Sequence, residues 1–354
     1  MVVAKTVIVG LIADPGLPER IADRLQQDLA QHLASQIDES TNWQIEVSSE
    51  TLPLTSRGEI PLAEQGPRLL EQHGWDAVAY LTDLPRRYHG QPIVAELVSA
   101  AGIILVSLPA LGAHRVAART RALLVPLLTS LAGATDAAAA ADHARRGTSI
   151  QHTTADGAHY LIRSGRIHRL RLLAGMVRNN QPGTLLPALS STAAAGIGTG
   201  AFGIFYASIW SMADALPPAR LALISLGVTL ALSLWLIFYN GLWTAAREMD
   251  GRGSPWLDNA ATVITVGLSV ALMYVLLYLV LLGAALTVIT GDYLAGQLDH
   301  PVSIADYLRL AWLAASLGTM GGAIGSNFDS EQAINRATYS RREYERRQLA
   351  KRTV

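Results

Sequence analysis

Apolar and polar positions are unevenly spread along this chain. The second half holds long apolar runs at residues 185–211, 221–243, 260–290 and 302–326. A helix that crosses a hydrocarbon core needs about 20 apolar residues. The first three runs meet this with no charged residue inside, and the fourth carries Asp306 and Arg309 near its start. Buried helices of soluble bundles rarely run so long without a polar face. The pattern predicts an all-α, four-helix transmembrane domain over 185–326.

The first half alternates between two periods. Residues 5–13 (KTVIVGLIA) are a β-branched run of the kind found in buried strands. Residues 18–37 place Ile21, Leu25, Leu29 and Leu33 at helical spacing. Residues 43–52 read as a strand, 61–73 as a helix stopped by Gly74, and 75–82 as a strand. Residues 93–98 and 102–108 read as a hairpin around Ala100-Ala101, and 113–131 as a helix. The succession predicts an α/β domain over 1–131, a mixed sheet with flanking helices.

Residues 132–184 join the two parts. The Ala-rich stretch 132–144 either extends the preceding helix or acts as a linker. Residues 148–154 and 158–163 predict a hairpin, because Asp156-Gly157 is a preferred turn pair. In 167–177, Leu170, Leu173 and Val177 share one side, with Arg166, Arg169 and Arg171 elsewhere. That stretch is either an amphipathic helix at the membrane surface or a linker. Residues 327–354 predict a basic helical tail, opened by the capping signal Asp329-Ser330-Glu331-Gln332.

Charge adds an orientation. Arg163, Arg166, Arg169, Arg171 and Arg178 precede the first apolar run, and Arg247 and Arg252 follow the second. Arg336, Arg341, Arg342, Arg346, Arg347, Lys351 and Arg352 follow the fourth. The other two loops are poor in cations. Cationic flanks stay cytoplasmic, so four spans put both termini in the cytoplasm. Trp243 and Trp256 on one side, and Trp210, Tyr293 and Tyr307 on the other, are expected at the interfaces. The expected partners are the lipid bilayer and anionic lipid at the basic flanks.

Composition narrows the chemistry. Formal net charge is zero, which gives no reason to expect nucleic acid, and there is no cysteine, which excludes disulfides and thiolate ligands. Abundant Arg and Ala suggest a GC-rich bacterial genome and a bacterial cytoplasmic membrane. The stretch 6–13 is too short for a signal peptide core. There is no P-loop, H-E-x-x-H, G-x-S-x-G or kinase set, and the histidines are scattered without metal-ligand spacing. No cofactor is expected.

Three groups of residues stand out. Asp14 and Asp83 each follow a predicted strand, where open α/β sheets gather ligands. Arg86, Arg87 and His114 join them as candidate ligand-binding residues for an anion; the bland alternative is that both aspartates serve turns. Gly196, Gly200 and Gly203 in the first run, and Gly318, Gly322 and Gly325 in the fourth, make small-residue faces. Such faces let membrane helices approach closely, here against each other or in a homo-oligomer. The literal G-x-G-x-x-G at Gly198–Gly203 lacks the strand and acidic partner of a dinucleotide site. Asp306 and Arg309, three apart, share a helix face as an intramembrane polar pair, with Asp292 a further partner.

Ile12-Ala13-Asp14-Pro15-Gly16, Leu81 to Arg87, Val106 to Gly112 and Asp306 to Trp312 together resemble a family of actinobacterial multi-pass membrane proteins. The resemblance implies a cytoplasmic α/β domain on a membrane domain and brings no activity with it. Thr82-Asp83 and Val106-Ser107-Leu108 also resemble the sheet before the catalytic helix of archaemetzincin-type metalloproteases, but the helix at 113–131 has no H-E-x-x-H. The expected role is non-catalytic: a membrane-anchored sensing, regulatory or scaffolding protein. A subunit of an oligomeric transporter or channel is the alternative. A membrane-tethered hydrolase using Asp14 and Asp83 is the third.

Overall fold

The computed structural model describes residues 6–37, 41–55, 59–133, 137–145, 150–155, 157–163, 165–184, 187, 189–243 and 255–325. The chain divides into two compact units, with the main boundary between Asn179 and Asn180. The tail and the loop holding Arg247 and Arg252 lie outside the described residues.

The first unit is an α/β sheet domain. Its strands are β1 (Thr6–Ala13), β2 (Asn42–Ser49), β3 (Ala77–Thr82), β4 (Arg86–Tyr88), β5 (Gln91–Val98), β6 (Ile103–Ser107), β7 (Ile150–Ala155) and β8 (Ala158–Arg163). Their order is β2-β1-β3-β6-β5-β8-β7, with β4 beside β5. The β2, β1, β3 and β6 pairings are parallel; those of β4, β5, β7 and β8 are antiparallel. The sheet is therefore mixed, as the hairpin signals predict. Every residue of β3 and β6 is buried, so both faces of the central strands are covered.

The helices of this unit are α1 (Leu17–Ile37), α2 (Leu62–His73), α3 (Val116–Leu131), α4 (Ala137–Arg145) and α5 (Arg166–Asn180). α1 packs on β1, β2 and β3 and against α3, while α2 packs on β3 and β6. Two glycines allow close layering. A Cβ on Gly10 of β1 would fall on the ring of Trp75, and one on Gly66 of α2 would meet the Ala101 carbonyl at 2.2 Å. Gly102 closes the β5–β6 connection at φ 64°, where a side chain is costly. Three local expectations change. α3 begins at Val116, the Ala-rich stretch makes its own helix α4, and the three-residue strand β4 is added.

The second unit is helical: α6 (Ser190–Phe205), α7 (Ala207–Ala215), α8 (Pro218–Tyr239), α9 (Pro255–Val288), α10 (Gly291–Leu298) and α11 (Ile304–Gly325). α8 and residues 256–288 of α9 are long and apolar enough to cross a membrane. The first apolar run is not one straight helix. It breaks at Tyr206, which is extended, and α6 and α7 meet at 85°; counted as one span, the pair brings the total to three. Trp210 Nε1 donates to the Gly203 carbonyl at 3.1 Å, serving an acceptor that the break leaves outside the helix ladder. α11 is less apolar than the spans, and half its residues are buried in the bundle.

Candidate functional site

The strand order places a topological switch between β1 and β3. The chain leaves β1 through α1 to β2 on one side, then returns as β3 on the other. Ligands of open α/β sheets collect at such a point, outside the carboxyl ends of the strands. Ala13 is in register with Leu81, so Asp14 emerges level with Thr82, one residue before Asp83.

Asp14 is wholly buried. Tyr80 donates its phenolic O–H to Asp14 Oδ1, Thr82 Oγ1 donates to Oδ2 at 2.7 Å, and the Asp83 N–H donates to Oδ2 at 3.2 Å. The Leu52 N–H donates to the Tyr80 hydroxyl, and the Leu84 N–H donates to Thr82 Oγ1. This carboxylate therefore knits the β1–α1 corner to the β3–β4 corner. Buried polar groups are held this way when their role is structural.

Beyond Asp83, Ser107 Oγ donates to the Leu84 carbonyl at 2.7 Å. Arg86 sits 3.4 Å from Glu96, which is buried on β5. Burial pushes the Glu96 carboxyl above its ordinary value, and the Arg86 guanidinium opposes that push. Arg87 is half-buried in β4, and His114 is exposed in the loop before α3. The structure thus joins Asp14 to Asp83, and Arg86 to Glu96. It carries His114 into a different neighbourhood.

That neighbourhood is cationic. Gly112 follows β6 and a 3-10 turn, at φ 87°. A Cβ placed on it would lie 2.7 Å from Arg171 Cγ of α5 and 3.6 Å from Arg119 Nη1 of α3. Arg119 Nη1 donates to the Leu111 carbonyl at 2.6 Å, and Arg115 stands at the N-cap of α3. Partial burial lowers the Arg119 guanidinium from its usual value, and repulsion from Arg171 and Arg115 adds to this. Arg178 of α5 is lowered likewise, by burial first and then by Arg20 and Arg24. Sequence reading missed this convergence, because its members lie on three helices and share no local pattern.

α5 itself is a cover on the carboxyl edge of the sheet. Gly175 packs on Pro109, where any Cβ would fall 2.1 Å from the Pro109 carbonyl oxygen. Leu172 and Met176 are buried, while Ile167 and Leu170 stand 74% and 63% exposed among Arg166 and Arg169.

In the helical unit, the small-residue faces of α6 and α11 meet. A Cβ on Gly318 would lie 2.5 Å from the Gly196 carbonyl oxygen, and one on Gly203 would lie 2.5 Å from Ala314 Cβ. Gly200 faces Leu281 and Ala314, Gly322 faces Thr192, and Gly325 faces Ala195 and Ser191.

A polar group closes one end of this unit. Arg309 reaches Asp214, at the end of α7, at 3.7 Å, and His300 Nε2 lies 3.3 Å from the same carboxylate. Asp306 instead accepts from the Ser303 N–H at 2.7 Å and from the Ser303 hydroxyl at 2.9 Å. Each member of the expected Asp306–Arg309 pair thus has another close partner. The Asp306 carboxylate reaches back to the Ser303 N–H as in one half of a capping box, the Asp306 N–H donates to the Ser303 carbonyl, and Arg309 turns to Asp214. One donor atom each from Asp214, His300 and Asp306 lies within 4.8 Å of the others, a set with the chemistry of a divalent-metal site. Two rings expected at the lipid interface are internal: Trp210 is buried, and Tyr307 is buried with its hydroxyl donating to the Ile289 carbonyl at 2.8 Å.

Compared with known proteins, the chain matches no family model, no curated protein and no solved structure.

Proposed function

We propose that this chain is a multi-pass protein of the bacterial cytoplasmic membrane, with all four apolar runs in the bilayer and both termini cytoplasmic. Its role is sensing, regulatory or scaffolding: the α/β domain binds a ligand or protein partner and biases the packing of the helical unit. The observation that carries this reading is the docking of α5 on the sheet's carboxyl edge through Gly175 and Pro109. Only nine residues separate the end of α5 from the start of α6. In this reading an event that lifts or clamps α5 acts through that short connection on α6, whose glycine face packs on α11. The engagement of Asp14 by three donors favours this reading over a hydrolase, whose carboxylate must reach substrate.

Replacing Gly175 by Leu tests the coupling. The side chain forces α5 off Pro109, so amide exchange along 190–205 rises while 77–82 stays protected. Unchanged exchange in α6 sinks the reading. The chain has no cysteine, so orientation is tested with single cysteines at exposed Glu71 and Gln297. An impermeant maleimide labels the second in intact cells and the first only after lysis; the reverse pattern overturns the topology.

The second reading, a subunit of a transporter or channel, is favoured by the Asp214, His300, Asp306 and Arg309 group. Intramembrane ionisable groups often mark ion paths. Arg309→Gln and Asp306→Asn would then abolish flux in reconstituted vesicles while leaving assembly intact, and flux that survives both removes the path.

A further inference from the structure

We propose that Arg115, Arg119 and Arg171, gathered around Gly112, form a binding site for a phosphate-bearing anion. The inference rests on the reading of the α/β domain as a ligand-binding module and names the class of ligand that it takes.

The first support is convergence. Arg171 comes from α5, and Arg119 and Arg115 from the first turn of α3 and its N-cap. The Arg171 stem and the Arg119 guanidinium meet beside Gly112 from two helices: Arg171 Cγ and Arg119 Nη1 lie 2.7 and 3.6 Å from the place a Cβ on Gly112 would take. Among the described residues, no carboxylate lies within ion-pair distance of any of the three. Like charges brought together without a counter-charge repel. Among the described residues the fold gathers the three arginines without a counter-charge, the arrangement that an anionic ligand would complete.

The second support is position. The arginines lie where β6 gives way to a helix, at the carboxyl edge where α/β sheets hold ligands. The N-cap of α3 makes no side-chain hydrogen bond, so the free N–H groups of its first turn add positive potential at the same place. His114 is exposed in that loop. Glycine at 112 is doubly required, by its positive φ and because a side chain would strike Arg171. The planar donors of guanidinium match phosphate oxygens in pairs, which lysine cannot do.

A phosphate group can arrive on a soluble molecule or on a lipid headgroup, and the experiment separates the two. The full chain is placed in nanodiscs of phosphatidylcholine and titrated with pyrophosphate at ionic strength matched with sodium chloride. It is then placed in nanodiscs containing phosphatidylglycerol. Amide exchange over 111–119 is followed in both arms. Protection by pyrophosphate identifies a soluble ligand; protection by phosphatidylglycerol alone identifies a headgroup. Either supports the site, provided that Arg171→Gln and Arg115→Gln each weaken the effect about tenfold. Arg119→Gln also removes the bond to Leu111, so it is not used alone. No protection in either arm overturns the proposal, as does equal protection in wild type and both variants. If Gly175→Leu still alters exchange in α6, the anion site fails alone; if it does not, the coupling reading falls as well.

Discussion

The phenol of Tyr80 donates a hydrogen bond to Asp14 Oδ1 across sixty-six residues of sequence, inside the sheet and out of reach of solvent. The same hydroxyl accepts from the Leu52 N–H at 3.3 Å. One oxygen atom thus ties the end of β1 to the segment after β2. Tyr80→Phe keeps the ring and deletes this link, and is expected to cost roughly 1–3 kcal/mol in urea unfolding. A loss below about 0.3 kcal/mol would mean that Asp14 is held by its other donors alone.

The α6–α11 contact makes an opposite pair of expectations. Gly318→Ala puts a methyl group 2.5 Å from a backbone oxygen, so the helices must part. The expected cost is about 1–3 kcal/mol, read as a lower thermal midpoint in detergent. Gly198→Ala, with nothing within 4 Å of its Cβ position, should be neutral or stabilising by up to about 1 kcal/mol. Equal effects from the two would show that the close approach is not what holds the pair.

Glu96 links stability to pH. Its carboxyl titrates above 4.5 in the folded domain, so the fold favours the protonated form. Its contribution is fully present below 4.5 and is lost as pH rises through the folded value. Between about pH 4.5 and pH 7, the wild-type domain should therefore lose more unfolding free energy than Glu96→Gln does. Parallel profiles would place the buried charge elsewhere.

At the polar end of the bundle, cap and ion pair can be ranked. Asp306→Ala removes the acceptor that holds the Ser303 N–H and should cost about 0.5–2 kcal/mol. Arg309→Gln removes a contact of 3.7 Å between partly exposed groups and should cost less than about 1 kcal/mol. Thermal midpoints of the two variants in the same detergent decide the order, and a larger loss for Arg309→Gln would reverse it.

The strands and helices of the α/β domain were legible wherever a period ran long enough. Ile21, Leu25, Leu29 and Leu33 all point into the core of α1's packing face, and each is buried. Gly157 marked one hairpin and has positive φ; Gly102, read as the first residue of a strand, instead closes the other connection, also at positive φ. The strand order was not legible, since pairing β8 with β5 depends on contacts more than sixty residues apart. The break at Tyr206 carries no proline, and the residue itself is an ordinary aromatic. Trp210 reaches back to the Gly203 carbonyl across the break, a bond that no spacing in the run announces. Asp14 and Asp83 were found as strand-end residues, but that Asp14 is consumed by Tyr80 and Thr82 depends on side chains that the sequence does not align. The arginines around Gly112 were visible only as separate basic flanks.

The antiparallel half of the sheet also has a consequence in time. β8 must dock on β5 after α3 and α4 have been made, so the sheet is complete only once Arg163 has left the ribosome. Fewer than thirty residues later, α6 begins. At a synthesis rate of about 5–20 residues per second, that interval is a few seconds. Folding of the sheet and emergence of the first apolar helix therefore overlap during synthesis. Substitutions that merely slow the docking of β8 would lower the yield in cells while leaving the finished protein's equilibrium stability unchanged.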